Sequence, residues 1–154
     1  MNMSKIDNSV REATIDDIAA MHAIRLGVRE NRLSDPGWLT HEVWSSCLAG
    51  CSPANTWVCE VDGRIVGFSV ARIAEADIWA LFVDPNAEGQ GHGKRLLSVA
   101  SDWLFTQGVV EIRLSTTVNT RADVFYQQQG WQRGEFTPKG EVVYRLQTDV
   151  VTHQ

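Results

Sequence analysis

Apolar residues recur along this chain with two periods, and the points where one gives way to the other divide it into strands and helices. VREAT, Val10 to Thr14, reads as a short strand. Thr14 followed by Asp17 is a variant capping box, and Ile15, Ile18, Ala19, Met21, Ile24 and Val28 then form a helical stripe. Pro36 and Gly37 break it, and Thr40 opens a second helix carrying Val43, Trp44 and Leu48, which ends near Gly50. TWVCEV and RIVGFSVARI alternate as strands around Asp62-Gly63, a two-residue hairpin signal. DIWALFV, Asp77 to Val83, is apolar enough for a buried central strand. Strict alternation there would set Asp77, Trp79 and Leu81 on one face and Ile78, Ala80 and Phe82 on the other.

Asp84-Pro85 ends that strand. A long helix runs from about His92 to Gln107, with Leu96, Leu97, Val99, Ala100, Trp103 and Leu104 on a broad apolar face. VEIRLS is a strand, and NTRADVFYQQQ a short helix with Asn119 as N-cap and Gly130 as stop. WQRGEF and EVVYRL close the chain as a hairpin around Pro138 and Gly140. The predicted order is β-α-α-β-β-β-α-β-α-β-β, an α/β fold with a mixed sheet and helices on its faces. The domain is expected over residues 10–147, between polar tails at 1–9 and 148–154.

Composition narrows the function classes. At 154 residues, 44% hydrophobic and 21% charged, the chain suits one globular domain. A net charge of -5 argues against nucleic acid or an anionic membrane as partner. No apolar run approaches a membrane span and the first ten residues lack a hydrophobic signal core, so the expected location is the cytoplasm. Cys47, Cys51 and Cys59 match no zinc pattern and read as reduced thiols, and no metal is expected.

The chemistry concentrates at EGQGHGKRLL, residues 88 to 97, where Gly89, Gly91 and Gly93 directly precede a helix. A Walker loop fails, because Glu88 stands at its first glycine and Arg95 follows the lysine. A dinucleotide fingerprint fails at Lys94. What remains is an anion site: free amides of a first helical turn, the helix dipole, and Lys94 and Arg95 beside them.

LFVDPNAEGQGHGKRLL resembles the acetyl-CoA-binding segment of the GCN5-related N-acetyltransferase (GNAT) superfamily, in which an apolar-Val-x-Pro turn leads to Arg/Gln-x-x-Gly-x-Gly/Ala. A second block, NTRADVFYQQQGW, is similar to the family's Asn-x-x-Ala-x-x-Phe/Leu-Tyr-x-x-x-Gly-Phe at Asn119, Ala122, Phe125, Tyr126 and Gly130, with Trp131 replacing phenylalanine. The predicted element order also matches the family's fold. One departure is Glu88, where the family prefers Arg or Gln; a carboxylate there repels a pyrophosphate.

The resemblance implies an acetyl-CoA-dependent N-acetyltransferase acting on a small amine or peptide. The alternative is a CoA-binding sensor or interaction module without chemistry. Acetyl-CoA would lie where the strand Ile78 to Val83 splays from the strand Glu111 to Ser115, held by backbone groups of Leu81, Phe82 and Val83. The loop Glu88, Gly89, Gln90, Gly91, His92, Gly93, Lys94 and Arg95 would take the phosphates, and Asn119, Phe125 and Tyr126 would complete the cofactor contacts. Tyr126 is the implied general acid for the departing thiolate. Asp77, at the head of the central strand, is the candidate base, with Glu75, His92 and water as alternatives. Arg25, Arg29, Asn31 and Trp79 are candidates for the acceptor pocket, the arginines suiting an acceptor carboxylate. The sequence leaves the acceptor's identity and a homodimer open.

Overall fold

Asp62 and Gly63 both take positive φ, 52° and 81°, and so make the tight turn their pairing predicts. They join β2 (Ala54–Val61) to β3 (Arg64–Arg72) in an antiparallel hairpin around which the sheet is laid down. The computed structural model describes residues 8–28, 36–49 and 53–148. Before the hairpin come β1 (Asn8–Glu12), α1 (Ile18–Gly27) and α2 (His41–Ser45). After it come β4 (Asp77–Val83), α3 (His92–Thr106), β5 (Glu111–Thr117), α4 (Arg121–Gln128), β6 (Gln132–Phe136) and β7 (Glu141–Gln147). The sheet has seven strands in the order β1-β2-β3-β4-β5-β7-β6, antiparallel throughout except for β4 and β5. The predicted mixed α/β architecture and element order are therefore present. No helix among the described residues is long and apolar enough to cross a membrane.

Each face of the sheet carries its own core. Leu96, Leu97, Ala100 and Leu104 of α3 pack with Tyr126, Trp131, Ile112 and Tyr144 on one face. Met21 and Ile24 of α1 and Trp44 of α2 pack with Val58, Phe68 and Val70 on the other. Cys47 and Cys59 are buried, and Cys51 lies outside the described residues. At Gly67 of β3 an added Cβ would stand 3.0 Å from Leu96 Cδ1 and 3.0 Å from the Phe82 carbonyl oxygen, so glycine there permits the close approach of α3.

Several local expectations are corrected. The first turn before α1 is a 3-10 turn, Ile15–Asp17, and Ile15 is 58% exposed rather than part of the apolar stripe. The Asp17 carboxylate accepts from the Thr14 amide at 2.8 Å and from the Arg11 guanidinium at 2.8 and 3.0 Å, which fixes this turn to β1. At α4 the cap is Thr120, whose hydroxyl accepts from the Asp123 amide at 3.3 Å, and not Asn119. Asn119 instead occupies the left-handed region at φ 63°, which asparagine tolerates.

The largest correction concerns β4. Val70 pairs with Ala80 but Ala71 pairs with Ile78, so Trp79 is an extra residue, a β-bulge. Simple alternation therefore fails: Ile78, Leu81 and Val83 face the α3 side, while Trp79, Ala80 and Phe82 face the α1 side. Beyond the bulge β4 parts from β5. The two strands register only at Asp77 and Arg113, with the Arg113 amide donating to the Ala76 carbonyl at 2.9 Å.

Asp123, buried at 3% exposure, ties α4 to β6 and β7. It accepts from Arg133 at 3.0 and 2.9 Å, from the Asn119 amide at 2.9 Å, and from the Tyr144 hydroxyl. The Arg133 guanidinium, foremost, holds its carboxyl well below the usual aspartate range. A depressed carboxylate contributes stability that is complete above the unfolded value of about 3.9 and is lost as pH falls toward the folded value. Asp123→Asn is accordingly expected to cost about 2 kcal/mol or more at pH 7 and to flatten the loss of stability below about pH 4, measured by urea denaturation across pH.

Candidate active site

The parting of β4 from β5 opens a cleft of about 1340 Å³ through the middle of the sheet. Ile78 to Val83 line it from β4 and Leu114 to Thr117 from β5. Because the strands pair only at their heads, the backbone of β4 after Trp79 has no β5 partner and presents amides and carbonyls to the cleft. One end of the cleft is the glycine loop, and the other lies at Arg25 and Trp38.

Gly89 and Gly91 take φ values of 81° and 86°, which is the physical requirement for glycine at both. Nothing lies within 4 Å of where their side chains would project, so the space over the loop is open. Gly91 is the N-cap of α3, a helix of 15 residues, whose first-turn amides have no carbonyl partner within the helix. Phe125 of α4 packs against Gly93, where a Cβ would meet its ring at 3.6 Å. Of the predicted cofactor residues, Leu81, Phe82, Val83, Glu88, Gly89, Gly91, Gly93, Lys94, Phe125 and Tyr126 line the cleft.

Gln90, His92 and Arg95 do not. His92 is buried at 2% exposure and faces inward. Its Nδ1 lies 2.7 Å from Arg95 Nη2 and 3.4 Å from Cys59 Sγ, and its Nε2 lies 3.3 Å from Gln90 Oε1. A guanidinium can only donate, so Nδ1 is the acceptor and Nε2 carries the proton shared with Gln90. Arg95 also donates to Cys59 Sγ at 3.3 Å. This buried chain fastens the loop to β2 and takes His92 out of reach as a base.

Glu88 is met by Arg121 of α4 at 3.4 Å, and both line the cleft. Arg121 was not singled out by the sequence reading. Its signal was available only in hindsight, as an arginine within the second motif block.

Tyr126 is 6% exposed, in ring contact with Phe125, Trp131 and Tyr144 at 5.2, 6.0 and 5.6 Å. It lines the cleft, its hydroxyl makes no hydrogen bond among the described residues, and burial pushes the phenol's pKa up. Asp77 is placed differently from expectation. Its carboxylate is held by Arg72 at 3.0 and 2.7 Å and does not line the cleft. Glu75 sits 3.7 Å from the same arginine. Asn119 is exposed and also outside the lining, while Arg25 and Trp79 are within it. Arg29 and Asn31 lie outside the described residues.

A family model described as the acetyltransferase (GNAT) domain matches residues 52–133, more than half of the chain. The chain belongs to the GNAT acetyltransferase family. A search of curated proteins by sequence found no match. Among solved structures, this acetyltransferase-family chain is similar to the PaiA N-acetyltransferase of Thermoplasma acidophilum in complex with coenzyme A, with a TM-score of 0.77 and 16% identity, covering 92% of this chain and 99% of that one. It is similar to a GCN5-related N-acetyltransferase from Kribbella flavida, TM-score 0.77, 21% identity, covering 92% and 98%. It is also similar to yncA from Salmonella typhimurium with its cofactor acetyl-CoA, TM-score 0.71, 18% identity, covering 92% and 94%. At these identities the likeness is one of fold.

In this GNAT chain the buried His92 yields a checkable pH effect. Burial, and then the positive charge of Arg95, hold its imidazole below the ordinary value of 6.5. Between the folded value and 6.5 the unfolded chain binds more protons, so stability is complete above that range and falls as pH drops through it. The melting temperature should therefore decline from pH 7 to pH 5, and the decline should be smaller in His92→Gln, read by calorimetry at both values.

Proposed function

We propose that this protein transfers the acetyl group of acetyl-CoA to the primary amine of a small molecule or peptide by direct attack on the thioester. The observation that carries the reading is Tyr126: a protonated phenol with no internal partner, set in the wall of a cleft that begins at an open anion loop. Relatives of the same fold that hold coenzyme A or acetyl-CoA support it. The residues present fit such a cosubstrate. Amides of the loop and the first turn of α3, with Lys94, suit a pyrophosphate, and Arg121 offsets the charge that Glu88 brings. The unpaired edge of β4 suits the amide groups of a pantetheine arm.

Acetyl-CoA supplies an activated acyl carbon. An amide N–H of β4 in the span Leu81 to Val83 polarises the thioester carbonyl as an oxyanion hole does. The free amine forms the C–N bond, the C–S bond breaks, and Tyr126 protonates the departing sulfur. The amine's proton passes to water, and water returns a proton to the Tyr126 phenolate. Asp77, engaged by Arg72, acts as a positioning residue at the cleft's edge, since the same guanidinium lies 5.6 Å over the Trp79 ring.

Titration calorimetry should detect binding of acetyl-CoA and none of ATP or NAD. Gly91→Val should abolish it, since valine is strained at φ 86° and its branches enter the open space over the loop. Normal binding by that variant would mean that the phosphate loop lies elsewhere.

Tyr126→Phe should lower turnover by about 10²- to 10⁴-fold with acetyl-CoA affinity nearly intact, followed as free thiol released with a panel of amines. Unchanged turnover would remove Tyr126 from the chemistry. Binding of acetyl-CoA without thiol release from any amine would favour a CoA-binding module.

A further inference from the structure

Beside the cleft, between α1, the segment before α2 and the bulge of β4, lies a smaller cavity of about 170 Å³. Its walls include Trp38, Leu39, Trp44, Trp79 and Phe82, and its one charged lining group is Arg25. Trp38 and Trp79 meet edge to face, with centroids 6.1 Å apart. Arg25, Trp38, Trp79, Ala80 and Phe82 border both this cavity and the main cleft, so the cavity opens directly into the cleft's end, with Arg25 and Phe82 at the doorway.

Arg25 is the unusual member. Its guanidinium lies 4.2 Å over the Phe82 ring, yet its Nη1 is buried with no hydrogen-bond partner among the described residues. Burial alone lowers its pKa. A guanidinium remains charged in proteins, so this is a desolvated positive charge with an unmet donor. Other described arginines near carboxylates are matched: Arg11 to Asp17, Arg72 to Asp77, Arg133 to Asp123. A partner that both accepts from Nη1 and offsets the desolvated charge is anionic, and the cavity is where it would enter. The planar fork of arginine matches a carboxylate with two parallel bonds. The ring-lined remainder favours a flat apolar group, packed edge to face.

Taking the acetyl-transfer reading of the neighbouring cleft as given, we propose that the acceptor is a free α-amino acid with a large, flat apolar side chain, its carboxylate on Arg25 and its side chain among Trp38, Trp79 and Phe82. The α-carbon constrains the arrangement. An α-amino nitrogen is one carbon removed from the carboxylate, so a carboxylate on Arg25 delivers the amine to the doorway and to β4. A peptide N-terminus lacks that adjacent carboxylate, and a simple arylalkylamine lacks it altogether.

The test reads binding apart from turnover. Calorimetry on the full chain saturated with coenzyme A would compare L-phenylalanine, phenethylamine, L-alanine and the dipeptide amide Phe-Gly-NH2. Phenylalanine should bind about 10- to 100-fold tighter than each of the other three, the range of one hydrogen-bonded charge or one buried ring. In Arg25→Gln the phenylalanine-to-phenethylamine ratio should collapse to within about threefold, with Arg25→Lys between the two, because an ammonium keeps the charge and loses the fork. Equal binding of phenethylamine or of the dipeptide amide by the unmodified protein overturns the proposal, as does no detectable binding of phenylalanine. Neither outcome needs a variant that folds. The two readings fail separately. The predicted binding order without thiol release leaves the pocket assignment standing and removes the transferase, while equal thiol release from phenylalanine and phenethylamine does the reverse.

Discussion

Two neighbouring strands that are joined only at one end set the terms for this molecule. β4 and β5 are the one parallel pair in the sheet, and they register at Asp77 and Arg113 alone. Unpaired backbone groups in the middle of a sheet are costly unless something else satisfies them. Both the burial of α3 and α4 against one face and the bulge at Trp79 serve to keep those groups reachable. The α3 cluster closes the sheet from one side, and the extra residue in β4 turns the strand away before it can zip to its neighbour. The glycine loop, the phenol of Tyr126 and Arg25 are then distributed along one continuous opening.

The elements were legible because their signals are local. Asp62-Gly63 dictates a turn, the run from Leu96 to Leu104 has the helical period, and the paired motif blocks bracket β5 in the right order. That Tyr126 and the glycines border one cleft was legible from the two motif blocks that carry them. Features that depend on counting through an irregularity were not. The alternation of β4 is correct on each side of Trp79 and wrong across it, so Asp77 keeps the side of Trp79 but not that of Leu81, which looks to α3. Nothing in a run of apolar residues announces which one is extra.

Polar side chains were harder still, because their direction is chosen by partners distant in sequence. Arg95 lies in the first turn of α3, as a phosphate ligand should, but Cys59 and His92 draw it inward from β2 and from the preceding turn. Asp123 resembles any acid in a helical first turn until Arg133 and Tyr144 arrive from the last two strands. Asn119 stands one residue before the cap, in the left-handed region with its amide donating to Asp123, and Thr120 takes the capping role. Glu88 looked like an obstacle to anion binding in isolation, and Arg121 changes its meaning.

The missing side chain of Gly67 has a reach well beyond β3. It leaves room for Leu96 of α3 and for the Phe82 carbonyl of β4, each of which would stand 3.0 Å from a Cβ there, and so sets how deeply α3 sits. The loop at the start of α3 rides on that helix, whereas Phe82 belongs to the opposite wall of the opening. The gap between the two is therefore gauged by the thickness of an absent methyl group. In this chain the width of the opening is calibrated from beneath, by a residue that does not line it.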